Sequence, residues 1–256
     1  MVEMKYISKA QKQEALSKEL TFIGPNIPIK APHFVMYVKE LLIQEYGLSE
    51  VERGGLQVRT TLDTKIQNAT QEIVTQEVDA NAHLNVSNGA SPVLNPQNGD
   101  TLAMLGSRDS FDLERDGNVN LVTSLRQPGS TAKIITYALA LSSGFTQASL
   151  LDDSPLTITP QGGESYTPVN YDGKFRGRVP LRLAFANSLN IPAVRVAQKV
   201  GVENIVNQGK RLGITTWDEP EKYGLSITLG GAETTMMDIA TVYATFANDG
   251  KRIDPS

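Results

Sequence analysis

The residues best placed to do chemistry are Ser130 and Lys133, within Gln127-Pro128-Gly129-Ser130-Thr131-Ala132-Lys133. Gly129 permits a tight turn, and the apolar residues behind it (Ile134, Ile135, Tyr137, Ala138, Leu141) predict a helix from Ser130 to about Ser143. A hydroxyl in the first turn of a helix lies near free backbone N–H groups and the positive end of the dipole, which favours developing negative charge. Lys133 projects from the same face one turn later. A serine hydroxyl is a weak nucleophile until a neighbour takes its proton. Lysine can do so once desolvation or a nearby positive charge pulls its pKa below about 10.4. An N-cap serine followed by a solvated lysine satisfies the same spacing, so both readings stand at this point. A second pair, Ser188 and Asn190 in Asn187-Ser188-Leu189-Asn190-Ile191-Pro192, falls in a loop between two predicted helices. Side chains two apart can enter one cleft, Ser188 to relay a proton to a leaving amine and Asn190 to bind a peptide substrate or fix the lysine. A helix end and an N-cap asparagine account for the same two residues.

Other chemistries are narrowed by what the chain lacks. Its 256 residues include no cysteine, which removes a disulfide framework, a thiolate nucleophile and any cysteine-ligated metal site. The only histidines are His33 and His83, too few for a histidine-rich metal site, and both lie upstream of Ser130 outside any triad motif. No cofactor and no metal is expected. Lys and Arg total 24 against 28 Asp and Glu, a net charge of −4 with the basic residues scattered, so no nucleic-acid partner is expected. No run reaches the ~20 apolar residues of a membrane span, and Met1–Leu20 is too polar for a signal peptide.

The elements that must position these residues can be read from caps and periodicity. Ser8 and Gln11 form a capping box for a short amphipathic helix to about Leu20. Thr21–Lys30 reads as a linker, Pro32 as the first residue of a helix ending before Gly47, and Leu48–Gly55 as a second linker. His33 is expected at that helix start, half packed and half wet. Leu56–Leu62 alternates and predicts a strand. Asp63 caps a helix from Thr64 to about Val78, with Ile66, Ile73 and Val74 on one face. Ala90–Asn95 and Thr101–Gly106 flank Pro96-Gln97-Asn98-Gly99, a hairpin signal. A polar loop spans Ser107–Gln127, and Leu151–Arg178 reads as irregular. Helices are predicted at Pro180–Ala186, Ile191–Val200, Val202–Leu212 and Glu233–Asn248. Glu233 reads as a helix N-terminal acid, and Trp217 lies in a polar loop.

Ser-x-x-Lys at a helix start followed by Ser-x-Asn in a helix-joining loop is the arrangement of penicillin-interactive serine transferases. The flanking segments GASPVLNPQNGDTLAMLGS (89–107), RQPGSTAK (126–133), NYDGKFRG (170–177), NSLNIPAV (187–194), GLSITLGGAE (224–233) and YATFANDGKR (243–252) resemble class A (bifunctional) penicillin-binding proteins. APHFVMYVKELLIQEYG (31–47) and VERGGLQVRTTLD (51–63) look like that family's stretch between its two catalytic domains. The resemblance implies an α+β transpeptidase fold of the penicillin-binding/serine β-lactamase type, here incomplete: a β-hairpin and a largely helical subdomain without the last sheet strands. It also implies three regions: 1–50, the tail of a glycosyltransferase region with linker helices; 51–88, an interdomain strand and helix; and 89–256, the first part of a transpeptidase domain.

By resemblance, Ser130 attacks the carbonyl between the last two D-alanines of a peptidoglycan stem peptide, Lys133 is the base, Ser188 shuttles a proton and Asn190 binds the substrate amide. An acceptor amine then resolves the acyl-enzyme, and β-lactams mimic the D-alanyl-D-alanine. The implied location of the parent protein is the outer face of the bacterial cytoplasmic membrane, held there by an N-terminal anchor not in this chain. The family's third motif, a Lys-Thr/Ser-Gly strand, does not occur in the sequence. In the family it lies tens of residues beyond the position of Ser256 and supplies part of the oxyanion hole. The chain is therefore expected to be a piece of a longer protein that by itself acylates very slowly or not at all, with an exposed hairpin edge prone to aggregation. A non-catalytic cell-wall-binding or scaffold module of the same shape is the alternative. Asn170–Gly177 reads as a loop packed near the cleft, and no segment resembles the deacylating glutamate loop of a β-lactamase.

Overall fold

A computed structural model describes residues 2–17, 29–159 and 165–256. The chain divides into two units, Met1–Lys30 and Ala31–Ser256. In the first, α1 (Lys9–Ser17) begins with the expected capping box: Ser8 N donates to Gln11 Oε1 at 2.9 Å, and Gln11 N donates to Ser8 Oγ at 3.2 Å. No residue of α1 is buried, so the amphipathic character expected of it is not used. Its anticipated end at Leu20 and most of the following linker lie outside the described residues. Among the described residues no helix is long and apolar enough to cross a membrane.

The second unit opens with α2 (Pro32–Tyr46), started by Pro32 and stopped at Gly47, whose φ of 82° suits glycine. The expected linker after it contains a short helix, α3 (Leu48–Arg53). Leu56–Leu62 does not become a strand. The end of this stretch only touches the hairpin, through Thr61 Oγ1 donating to Thr101 O (3.0 Å) and Asp63 N donating to Leu102 O (2.9 Å). α4 (Thr64–Ala80) starts where Asp63 Oδ1 accepts from Lys65 N (2.8 Å) and Ile66 N (3.2 Å). Its inward face is Gln67, Thr70 and Val78, whereas Ile73, expected to be inside, is exposed. The reason is the neighbour. β1 (Ser91–Leu94) and β2 (Thr101–Leu105) form the expected antiparallel hairpin, and Gln67 lies along the free edge of β2. There its Oε1 accepts from Met104 N (2.9 Å) and its Nε2 donates to Met104 O (3.3 Å), satisfying both backbone groups as a strand would.

A 3-10 turn, Gly129–Ala132, runs into α5 (Lys133–Ser142). The region expected to be irregular pairs at its two ends, because β3 (Leu150–Asp153) and β4 (Gly177–Pro180) form a second antiparallel pair with Asp153 opposite Gly177. The helices α6 (Leu181–Ala186), α7 (Asn190–Val200), α8 (Val202–Leu212) and α9 (Met236–Ala247) follow. α9 starts later than expected, capped by Thr235 Oγ1 accepting from Asp238 N (3.0 Å), so Glu233 is not its first-turn acid. Instead the Glu233 carbonyl accepts from the indole Nε1 of Trp217 (3.2 Å), which is fully buried. The main core joins Ile135 and Ala140 of α5, Ala193 and Val196 of α7, Ile205 and Val206 of α8, and Trp217. A smaller cluster of Phe34, Met104, Val122 and Met237 ties α2 to the hairpin and α9.

Candidate active site

α5 carries Lys133 into the main core, where its side chain is 1% exposed. An ammonium has three N–H donors, and all three are used: Nζ donates to Ser188 O (2.6 Å), Ser188 Oγ (3.0 Å) and Asn190 Oδ1 (2.7 Å). Burial pulls its pKa down from 10.5 to about 8. The solvated-lysine reading of the sequence therefore does not describe Lys133.

Ser188 reaches the amine because the chain between α6 and α7 turns sharply. Its φ is 51°, in the left-handed region that non-glycine residues rarely enter. This conformation accompanies the approach of both its carbonyl and its hydroxyl to Nζ. Asn190 opens α7, and its amide is held at both ends: Oδ1 on Lys133 and Nδ2 donating to Val169 O at 2.7 Å.

Ser130 sits in the 3-10 turn before α5 and is exposed, with no side-chain hydrogen bond among the described residues. The structure thus gathers Lys133, Ser188 and Asn190 into one hydrogen-bonded group and leaves Ser130 three residues upstream, outside that group. The turn holding Ser130 is pinned. Gly129 has φ 60°, and Gly230 lies so close that a Cβ on it would collide with the Gly129 backbone. Tyr243 Oη donates to Thr131 O (3.2 Å), while Arg126 and Thr234 exchange backbone hydrogen bonds at 2.9 Å. Between these segments opens a largely apolar cavity of about 450 Å³, with Leu121, Pro128, Thr131, Thr234, Met236 and Ile239 in its wall.

Two residues around the lysine were not singled out as functional from sequence. Asn170, in the loop expected to pack near the cleft, is buried with all its amide valences filled. Its Nδ2 donates to Asp153 Oδ1 (2.7 Å) and Lys174 O (2.8 Å), and its Oδ1 accepts from Asn190 N (2.8 Å) and Ile191 N (3.4 Å). Asp153, wholly buried at the end of β3, also accepts from Arg176 N at 3.0 Å. The only local signal was the Asn-x-Asp-Gly turn sequence, which identifies a loop but not its burial.

Residues 89–256 match the family described as the penicillin-binding protein transpeptidase domain. Penicillin-binding protein 1A of Rickettsia felis is 39% identical over 169 residues, 66% of this chain and 21% of that protein. Penicillin-binding protein 2D of Bacillus subtilis is 30% identical over 264 residues, covering 100% of this chain and 37% of that protein. The chain therefore spans well under half the length of these relatives. In structure, penicillin-binding protein 1A from Haemophilus influenzae superposes with a TM-score of 0.80 at 22% identity, covering 100% of this chain and 52% of that one. That likeness establishes an α+β transpeptidase-type fold, of which only two small two-stranded sheets are present among the described residues.

Proposed function

Because the chain belongs to the penicillin-binding protein transpeptidase family, we propose that it carries the acylation machinery of a serine D,D-transpeptidase acting on peptidoglycan stem peptides. The observation that supports this best is the buried Lys133 amine, with a pKa lowered to about 8, one helical turn from an exposed serine. In the proposed reaction Ser130 Oγ bonds to the carbonyl carbon between the last two D-alanines while its proton passes to neutral Lys133 Nζ. The C–N bond breaks and the departing amine takes a proton by way of Ser188, so D-alanine leaves and an ester remains on Ser130. An acceptor amine attacks that ester, the new amide forms, and Ser130 recovers its proton. Asn190 holds the lysine through Oδ1 and contributes to binding the peptide. β-Lactams acylate the same oxygen, and the parent protein works at the outer face of the bacterial cytoplasmic membrane.

The Lys-Thr/Ser-Gly strand that the resemblance calls for is not in these 256 residues. Loss of one oxyanion donor costs about 10²–10³ in rate. The 256-residue chain is therefore expected to react with fluorescent penicillin at least about 100-fold more slowly than the same chain continued through such a strand. Labelling gels and intact mass measure both. In the continued chain Ser130→Ala is expected to abolish the adduct. An adduct that survives that substitution overturns the assignment of the nucleophile, and rapid stoichiometric labelling of the 256-residue chain overturns the need for the third strand.

A further inference from the structure

Asn190 touches Lys133, but something must hold Asn190. The hydrogen bonds run inward from it without a gap. Asn190 N donates to Asn170 Oδ1 (2.8 Å), Asn170 Nδ2 donates to Asp153 Oδ1 (2.7 Å), and Arg176 N donates to Asp153 Oδ2 (3.0 Å). α7 has no cap from its own N-cap position, because Leu189 offers no side-chain acceptor. Asn170 supplies that acceptor from another segment, taking the first two N–H groups of the helix. The same loop fixes the Asn190 side chain, since Val169 O, the carbonyl next to Asn170, takes its Nδ2 and thereby turns Oδ1 toward Lys133.

A buried amide with four partners has one workable orientation, and Asp153 helps to set it, with the Lys174 carbonyl accepting at the same end. The carboxylate can only accept, so it must face the NH₂ end of Asn170 and leave the oxygen for α7. Asp153 is itself fixed by β3–β4 pairing and by the Arg176 backbone, with the Arg176 guanidinium 3.9 Å away. From α5, one turn beyond Lys133, Tyr137 brings in a buried hydroxyl whose pKa is raised by burial and, to a smaller extent, by the field of the same carboxylate.

We propose that Asn170 is a positioning residue for acyl transfer, oriented by Asp153, and that it fixes Asn190 and so the place of the Lys133 amine. The proposal rests on the acyl-transfer reading of this site, and its test does not use acylation. In protein labelled with 13C at lysine Cε, the Lys133 signal is followed through pH 6–11 by NMR in wild type, Asn170→Ala, Asn170→Asp and Asn170→Asp/Asp153→Asn. Asn170→Ala opens the loop to water, so the Lys133 midpoint is expected to rise from about 8 by at least half a unit toward the ordinary lysine value. Asn170→Asp keeps the oxygen that caps α7 but sets one carboxylate against another, and the midpoint is expected to rise likewise. The exchanged pair restores a donor facing an acceptor between positions 153 and 170 at unchanged net charge, though not the donor to Lys174 O, and part of that shift is expected to be recovered. Where Asn170→Ala fails to fold, the Asn170→Asp and exchanged-pair comparison decides. A midpoint unmoved in a folded Asn170 variant, or an exchanged pair that recovers none of the shift, overturns the proposal. Persistent acylation of Ser130→Ala would instead overturn the transpeptidase reading and leave this network standing.

Discussion

At the scale of single residues, the proposed reaction makes the protonation of Lys133 the condition for acylation. Buried and donating to three oxygens, the amine is an ammonium below about pH 8, with no lone pair for the Ser130 proton. Its neutral fraction grows about tenfold per pH unit below that value, so the second-order rate of β-lactam acylation is expected to climb with unit slope and level off above about pH 8. Stopped samples on labelling gels from pH 6 to 9.5 measure this, and a profile flat across that range removes Lys133 as the base. Ser188 allows a second prediction. Its left-handed backbone costs a residue with a Cβ on the order of 1 kcal/mol relative to glycine. Ser188→Gly and Ser188→Ala both lose the hydroxyl that meets Nζ, so both are expected to acylate slowly, while in urea titrations the glycine variant is the more stable by roughly 1 kcal/mol.

At the scale of elements, the site depends on close packing between segments distant in sequence. Gly230, with φ 82°, lies against the Gly129 backbone, and the added methyl of Gly230→Ala has no room unless the Ser130 turn moves. That substitution is expected to cost about 1–3 kcal/mol and to depress acylation more than 10-fold. Urea unfolding and labelling test it together, and an unchanged rate in a stable variant would show that the turn is not held from this side. Such contacts also mark what was legible in the sequence. α8 is legible at its observed limits because glycines stand on both sides of an apolar period, and the Asp63 cap and the 91–105 hairpin are legible in local chemistry. The β3–β4 pair is not legible in the sequence because its strands are joined by a long Pro/Gly-rich segment, and pairing across such a distance leaves no periodic trace. The opposite error at Leu56–Leu62 has the same origin, since alternation predicts a strand only where a ladder partner exists. At the site, the spacing of Ser130, Lys133, Ser188 and Asn190 leaves a capping reading open, and it is the two pairs in order together with the resembling segments around them that point to these four, whereas the Asn170–Asp153 bond joins two polar residues whose burial no local pattern signals.

At the scale of the second unit, one histidine joins the stretch before the hairpin to the body of the fold. His33, expected to be half wet, is 7% exposed, and its Nε2 lies 2.9 Å from both Ser107 Oγ and Gly117 O. Gly106 leaves space for the ring, because a Cβ there would come within 2.6 Å of His33 Cγ. α2 is thereby fastened to the end of β2 and to the loop that leads toward Ser130. Burial lowers the His33 pKa below its ordinary value near 6.5, against the smaller opposing effect of the Gly117 carbonyl. Between the lowered value and about 6.5 the unfolded chain binds a proton that the folded chain does not, so stability rises with pH across that window. Acidification is expected to weaken the fold as pH falls through about 6.5, with the effect complete below the folded-state pKa. His33→Gln keeps an amide donor for Gly117 O and removes the titration. Urea midpoints taken from pH 7.5 to 5 are expected to fall less steeply for His33→Gln than for wild type, and equal slopes would place the acid sensitivity elsewhere in the fold.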